Sequence, residues 1–197
     1  MVRCITMGCD IHMYIEKKRK GSWIPAQGFI TEGDDKTPNV PYPDRFTDRD
    51  YLLFGFLAGV RDSTNQHFEP RGFPEDASKE VSTVYNGYGS DAHTPSYLTL
   101  EELKSVDWDH EMIIIERLFL KRQLEEFKKS IDVGKPNYDA ITTWCSWTSD
   151  TENWEYAEIE VPIKYQFMNF YRFMNQLHNY DWSCKDDEIR IVFWFDN

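Results

Sequence analysis

The stretch from Gly8 to Glu16, GCDIHMYIE, constrains this chain more than any other. Read with a period of two, it places Cys9, Ile11, Met13 and Ile15 on one side and Asp10, His12, Tyr14 and Glu16 on the other. That is the pattern of a half-buried strand whose apolar side lies on a core. Its polar side carries a carboxylate, an imidazole, a phenol and a second carboxylate in a row, with alternate residues roughly 6.6 Å apart. Neighbours at that spacing can share one ion or one substrate, because flexible side chains close the gap to metal–ligand distances of about 2.0–2.2 Å. The same alternation also belongs to an ordinary antiparallel strand that shows water a polar face.

The opening MGCDIHMYIE is followed in order by RDYLLFGFLAGVR, PRGFPEDAS and DAHTPSYLTLEEL, and near the end by IRIVFWFDN. In these segments the chain resembles a family of uncharacterised proteins from bacteriophage and prophage-bearing genomes. The resemblance is dense from Met7 to about Trp108. It implies a phage-type origin and a host-cytosol setting, and it carries no activity with it. The family motifs begin at Met7, so residues 1–6 are expected to be a disordered or non-native leader.

A chain of 197 residues is long enough for one domain with a core, and a single domain over 1–197 is expected. The hydrophobic share of 41% and aromatic share of 16% exclude a disordered chain. With 34 acidic against 22 basic residues the net charge is −12. Such a surface repels duplex DNA and anionic membranes, and it suits a basic partner or a divalent cation. It equally serves plain solubility. Cys4, Cys9, Cys145 and Cys184 form no CxxC pair, so reduced thiols are expected. No secretory segment and no run of about 18 apolar residues points to export or to a membrane span.

After the first strand, the basic turn at Lys17–Gly21 leads into a second strand from Ser22, making a hairpin. Residues 28–47 read as a surface loop. A helix is expected from an N-cap at Asp48 to Arg61, with Gly55 and Gly59 marking a close backbone approach. The segment TVYNGYGSDAH reads as a flexible binding loop, and Thr99-Leu-Glu-Glu102 as a capping box opening a short helix. Met112 to Ile131 reads as one long amphipathic helix, residues 137–160 as an irregular lobe with three tryptophans, and Pro162 as the first turn of a further helix. Glu188–Asp196 (EIRIVFWFD) reads as a buried strand able to pair with the first. The order is that of an α+β fold: a small, mostly antiparallel sheet including the first hairpin and the C-terminal strand, packed by several helices.

Two Asp-x-His triplets occur, Asp10-Ile-His12 and Asp91-Ala-His93. If they converge, Asp10, His12, Asp91 and His93 form a ligand set suited to Zn, Mn or Fe, with Mg a further candidate, and the site can activate water. Asp10, His12 and Arg61 are then the catalytic candidates. Arg71 can grip an anion through a bidentate contact, with Tyr14, Glu16 and Ser96 as further ligand-binding candidates. The other reading of His93 is a loop residue supporting the turn before the capped helix. Cys9 is discounted as a nucleophile because it falls on the apolar face. There is no P-loop, GxGxxG, HExxH or GxSxG.

Two function classes stay open on these residues. One is a phage accessory protein that binds a host factor or a small anionic, nucleotide-like ligand. The other is a metal-dependent hydrolase of phosphoester or nucleotide-like substrates. The acidic charge and the aromatic segments favour the first, and the polar row on the first strand favours the second.

Overall fold

The tight turn at Lys20-Gly21 fixes the register of the first hairpin. Both residues have positive φ, 50° and 85°, the backbone of a two-residue turn whose twist matches the flanking strands. It joins β1 (Asp10–Arg19) to β2 (Ser22–Pro25), with Glu16 opposite Pro25 and Arg19 opposite Ser22. The computed structural model describes residues 8–26, 31–32, 38–39, 50–61, 66–141, 144–145, 148–177, 181 and 183–196. The fold is α+β with antiparallel sheets, and its chain contacts divide it into two compact units, residues 107–168 and the remainder.

In the larger unit the C-terminal strand β9 (Ile189–Asp196) lies beside β1, as its apolar content predicts. Asp10 faces Asp196, Tyr14 faces Val192 and Lys17 faces Ile189. On its far side β9 pairs with β5 (His93–Thr99), giving the antiparallel order β2-β1-β9-β5. β9 is central, and Ile189 through Phe195 are buried on both faces, which explains a nearly continuous apolar run in place of alternation.

Each face of this sheet has a helical cover. On the first, Ile11, Met13 and Ile15 line up with Ile191, Phe193 and Phe195, and Phe54 of α1 (Tyr51–Ala58) meets Phe195 at 5.1 Å between ring centroids. Asp50 caps α1 by accepting from the backbone N–H groups of Leu52 and Leu53. The expected cap at Asp48 lies outside the described residues. The helix ends short of Arg61, at Gly59, because Gly59 adopts the left-handed conformation with φ 66° and donates back to Gly55 and Phe54. A Cβ at Gly59 would come within 2.6 Å of the Gln66 side chain. Gly59→Ala is therefore expected to destabilise the fold by about 1 kcal/mol or more. Chemical denaturation checks this, and an unchanged midpoint would remove the cap from the account.

On the second face, Tyr14, Val192 and Trp194 pack against Val81 and Val84 of α2 (Lys79–Tyr88), with Phe73, Tyr85, Tyr88 and Tyr97 around them. This helix corrects the expectation of a binding loop over TVYNGYGSDAH. Val81, Val84, Tyr85 and Tyr88 recur at helical spacing, Ser78 caps the first turn, and burial of that stripe overrides the weak propensities of Asn86 and Gly87. The capping box at Thr99 and Glu102 forms as read and opens α3 (Leu100–Ser105). Within residues 28–47, two short strands, β3 (Thr31–Glu32) and β4 (Pro38–Asn39), pair with each other.

The smaller unit contains the other corrections. Met112–Leu120 is a strand, β6, and the helix α4 (Lys121–Asp132) starts only after it. Its sequence MIIIERLFL buries Ile113, Ile115 and Phe119 at odd positions, and its β-branched run suits a pleated surface better than a helix. Residues Trp154–Pro162 form β8, antiparallel to β6 over its whole length, and the short β7 (Trp144–Cys145) flanks β6 on the other side. Part of the expected irregular lobe, its end from Trp154 above all, is thus strand. Trp147 lies outside the described residues. Pro162 ends β8 and precedes α5 (Ile163–Gln166), and helix resumes as α6 (Met168–Gln176), which from Asn169 on belongs to the larger unit.

Candidate functional site

The polar row on β1 has been put to four different uses. Glu16 is fully buried. One carboxylate oxygen accepts from Arg190 Nε and lies 2.8 Å from its Nη2, and the other accepts from the Ser78 backbone N–H at 2.7 Å. Arg190 also donates to Asp76 at 2.8 Å and stacks over Trp23 at 4.0 Å, while the Trp23 indole N–H donates to Asp76 at 2.9 Å. Burial pushes the Asp76 carboxyl up, but the hydrogen bond and charge of Arg190, with the Trp23 N–H, outweigh burial and hold it below its ordinary value. Every partner here is internal, so Glu16 serves the fold. Tyr14 is likewise 5% exposed, stacked at 5.0 Å on Trp194.

His12 is the half-buried member. Its Nδ1 lies 3.0 Å from the Tyr88 hydroxyl, and its ring packs with those of Tyr88 at 4.4 Å and Trp194 at 5.8 Å. Its Nε2 is 3.3 Å from an Asp196 carboxylate oxygen, but off the line of a hydrogen bond, and has no hydrogen-bond partner among the described residues. Asp10 starts the strand directly opposite Asp196.

The second triplet lies elsewhere. Asp91 is exposed in the turn that closes α2, its N–H donating to the Tyr88 carbonyl. His93 opens β5 opposite Phe195 and so lies on the face of Phe195, whereas His12 is opposite Trp194 on the other face. The two imidazoles are separated by the sheet itself. Among the described residues no three His, Cys, Asp or Glu side chains form a group able to hold a metal ion. The set Asp10, His12, Asp91 and His93 is therefore not assembled around one point.

His93 instead meets the thiol of Cys9, with Sγ and Nε2 4.0 Å apart, while its Nδ1 is 3.1 Å from the Thr94 hydroxyl. The Cys9 N–H donates to the Tyr51 hydroxyl, and Arg61 lies over the Tyr51 ring at 5.7 Å. Burial raises the Cys9 thiol above its ordinary pKa, with Arg61 pulling the other way too weakly to offset it and Asp196 and Asp10 adding to the rise. A fully buried, protonated thiol is a poor nucleophile, in keeping with its place on the apolar face.

The remaining candidates hold a turn together. Ser96 is fully buried and its hydroxyl accepts from the Arg71 backbone N–H. The Arg71 guanidinium donates to Glu102 at 2.6 Å and lies over the Tyr97 ring. Burial works against ionisation of Glu102, but the bonds from Arg71 and Thr99 prevail and keep its carboxyl below the ordinary range. Arg71 thus braces the capped end of α3.

Sequence reasoning missed Arg190, Asp76 and Trp23, although Arg190 was visible as the lone cation inside an apolar strand next to a buried-type partner. It also missed the Cys9–His93 contact, which no spacing encodes. No helix among the described residues is long and apolar enough to cross a membrane. Comparison with family models, with curated proteins and with solved structures finds no match.

Proposed function

We propose that this protein acts by binding a partner, as an accessory protein of the phage type that the sequence motifs suggest, and that it carries no hydrolytic centre on β1. The observation that supports this reading is the fate of the polar row. Glu16 is fully buried with both carboxylate oxygens occupied by Arg190 and Ser78, Tyr14 is part of the aromatic core, and His12 and His93 lie on opposite faces of the sheet. Water activation by a metal needs several ligands converging on one open position, and this geometry supplies one imidazole per face.

Titration calorimetry of the untagged protein with Zn(II) and Mn(II) tests the proposal. The expected result is no stoichiometric uptake at His12, so that wild type and His12→Ala give the same heats. Stoichiometric binding that is lost in both His12→Ala and His93→Ala would restore the shared metal centre and overturn the binding reading.

A further inference from the structure

In the smaller unit, the two faces of the sheet differ in kind. Ile113 and Ile115 of β6 stand opposite Val161 and Ile159 of β8, and all four are buried. The even-numbered face is open over part of its length. Met112, Ile114 and Tyr156 on it are 39%, 56% and 61% exposed, three of the seven exposed large hydrophobic side chains among the described residues. Interleaved with them are Glu116, Glu158 and Glu160, all exposed.

The arrangement of these charges is costly to the free protein. Glu116 stands directly opposite Glu158, and Glu160 is the next residue along that face. Like charges directly opposite each other weaken a ladder. Among the described residues no basic side chain is paired with any of the three. The side-chain hydrogen bond that the group makes among the described residues is internal, the Tyr156 hydroxyl donating to Glu116 at 2.6 Å. That bond comes first among the causes that raise the Tyr156 hydroxyl above its ordinary pKa, followed by burial and by the charges of Glu116 and Glu158.

We infer that this face, built from Met112, Ile114, Glu116, Tyr156, Glu158 and Glu160, docks an extended segment of a basic partner protein in which Lys or Arg alternates with apolar residues. The inference rests on the binding reading above and names where the partner sits. Charge complementarity selects the occupant. A second copy of this chain would bring further carboxylates to the same surface, and nucleic acid or an anionic membrane is repelled by it. A basic side chain placed between Glu116 and Glu158 removes their repulsion instead. Spacing agrees as well. Glu158 and Glu160 are alternate residues of one strand, roughly 6.6 Å apart, which is the same-side repeat of an extended ligand. Apolar side chains of that ligand then cover Met112, Ile114 and the Tyr156 ring, whose exposure as a group is otherwise unusual for a surface.

The experiment uses the full chain and a short dye-labelled peptide of alternating lysine and leucine, read by fluorescence anisotropy at low and physiological ionic strength. Wild type is expected to bind, and Glu158→Lys with Glu160→Lys to weaken binding by about tenfold or more. Ile114→Ser is expected to weaken it at both salt levels, because its contribution is apolar. The control is Glu125→Lys with Glu126→Lys on α4, two exposed positions that change net charge by the same amount off this face. If the control weakens binding as much as the face variants, attraction is diffuse and the docking surface is overturned. It is overturned as well if Ile114→Ser binds like wild type. Either result, in a protein that takes up no metal, leaves the binding reading standing. Metal uptake at His12 and His93 overturns that reading whatever the peptide does.

Discussion

Glu16→Ala is expected to be among the most damaging single substitutions in this chain, lowering stability by about 3–5 kcal/mol. The reason is less the attraction it loses than the charge it leaves behind. Arg190 is 2% exposed, and Glu16 is its buried counter-ion. Without Glu16 the guanidinium keeps only Asp76, whose side chain is 67% exposed, while the Ser78 N–H at the start of α2 loses its acceptor. For a protein of this length the loss corresponds to a fall in melting temperature of roughly 6–20 °C. Glu16→Ala combined with Arg190→Met is expected to recover most of it, because removing both charges removes the uncompensated burial. Arg71→Ala supplies the contrast. It breaks a half-exposed pair with Glu102 and is expected to cost about 1 kcal/mol or less. Denaturant titration of the four proteins decides the matter. Similar losses for Glu16→Ala and Arg71→Ala would mean that the buried pair contributes no more than a surface one.

Trp194→Ala is the second large effect, with an expected loss of about 3–5 kcal/mol from the emptied core. Trp194 is fully buried at the centre of the second face, against Tyr14, Val81, Val84 and Val192, with the rings of Phe73, Tyr85 and Tyr88 edge-on to it. Its indole N–H has no hydrogen-bond partner among the described residues, and this separates two roles that truncation confounds. Were the N–H part of a hydrogen-bond network, Trp194→Phe would lose that bond besides some ring volume, and its cost would rise by about 1–3 kcal/mol. With no partner for the N–H among the described residues, phenylalanine discards a buried donor that carries a desolvation penalty, and the smaller ring leaves only a modest gap. The net cost of Trp194→Phe is expected below about 1.5 kcal/mol. Thermal and denaturant unfolding check the pair, and a loss above about 3 kcal/mol for Trp194→Phe would show that the N–H has a partner in solution.

The contrast between the two triplets shows why the fold was easier to read than the site. An imidazole two residues after a carboxylate is a local fact, and both triplets are present as written. Whether His12 and His93 share a metal depends on which face of the sheet each occupies. That is decided by their cross-strand neighbours on β9, Trp194 and Phe195, which are adjacent residues and therefore point to opposite sides. The strand at Met112–Leu120 shows a related limit. Its apolar residues fit a helical stripe and an alternating strand about equally well, and pairing with β8 over nine positions settled it. Likewise the stripe of Val81, Val84, Tyr85 and Tyr88 was hidden behind Asn and Gly until the sheet offered it a surface.

What the sequence by itself determined is what depends on nearest neighbours and on total apolar content. The hairpin follows from Lys20-Gly21 between two strand-forming runs, the capping box from the spacing of Thr99 and Glu102, and the pairing of β1 with β9 from two apolar strands that need a common core. Tertiary structure decided the fate of the polar groups. Glu16 and Arg190 are 174 residues apart in the chain, yet burial in a low-dielectric interior makes each the necessary partner of the other. A carboxylate on a strand looks the same in sequence whether it awaits a substrate or an internal arginine. Only the position of the opposing strand tells them apart.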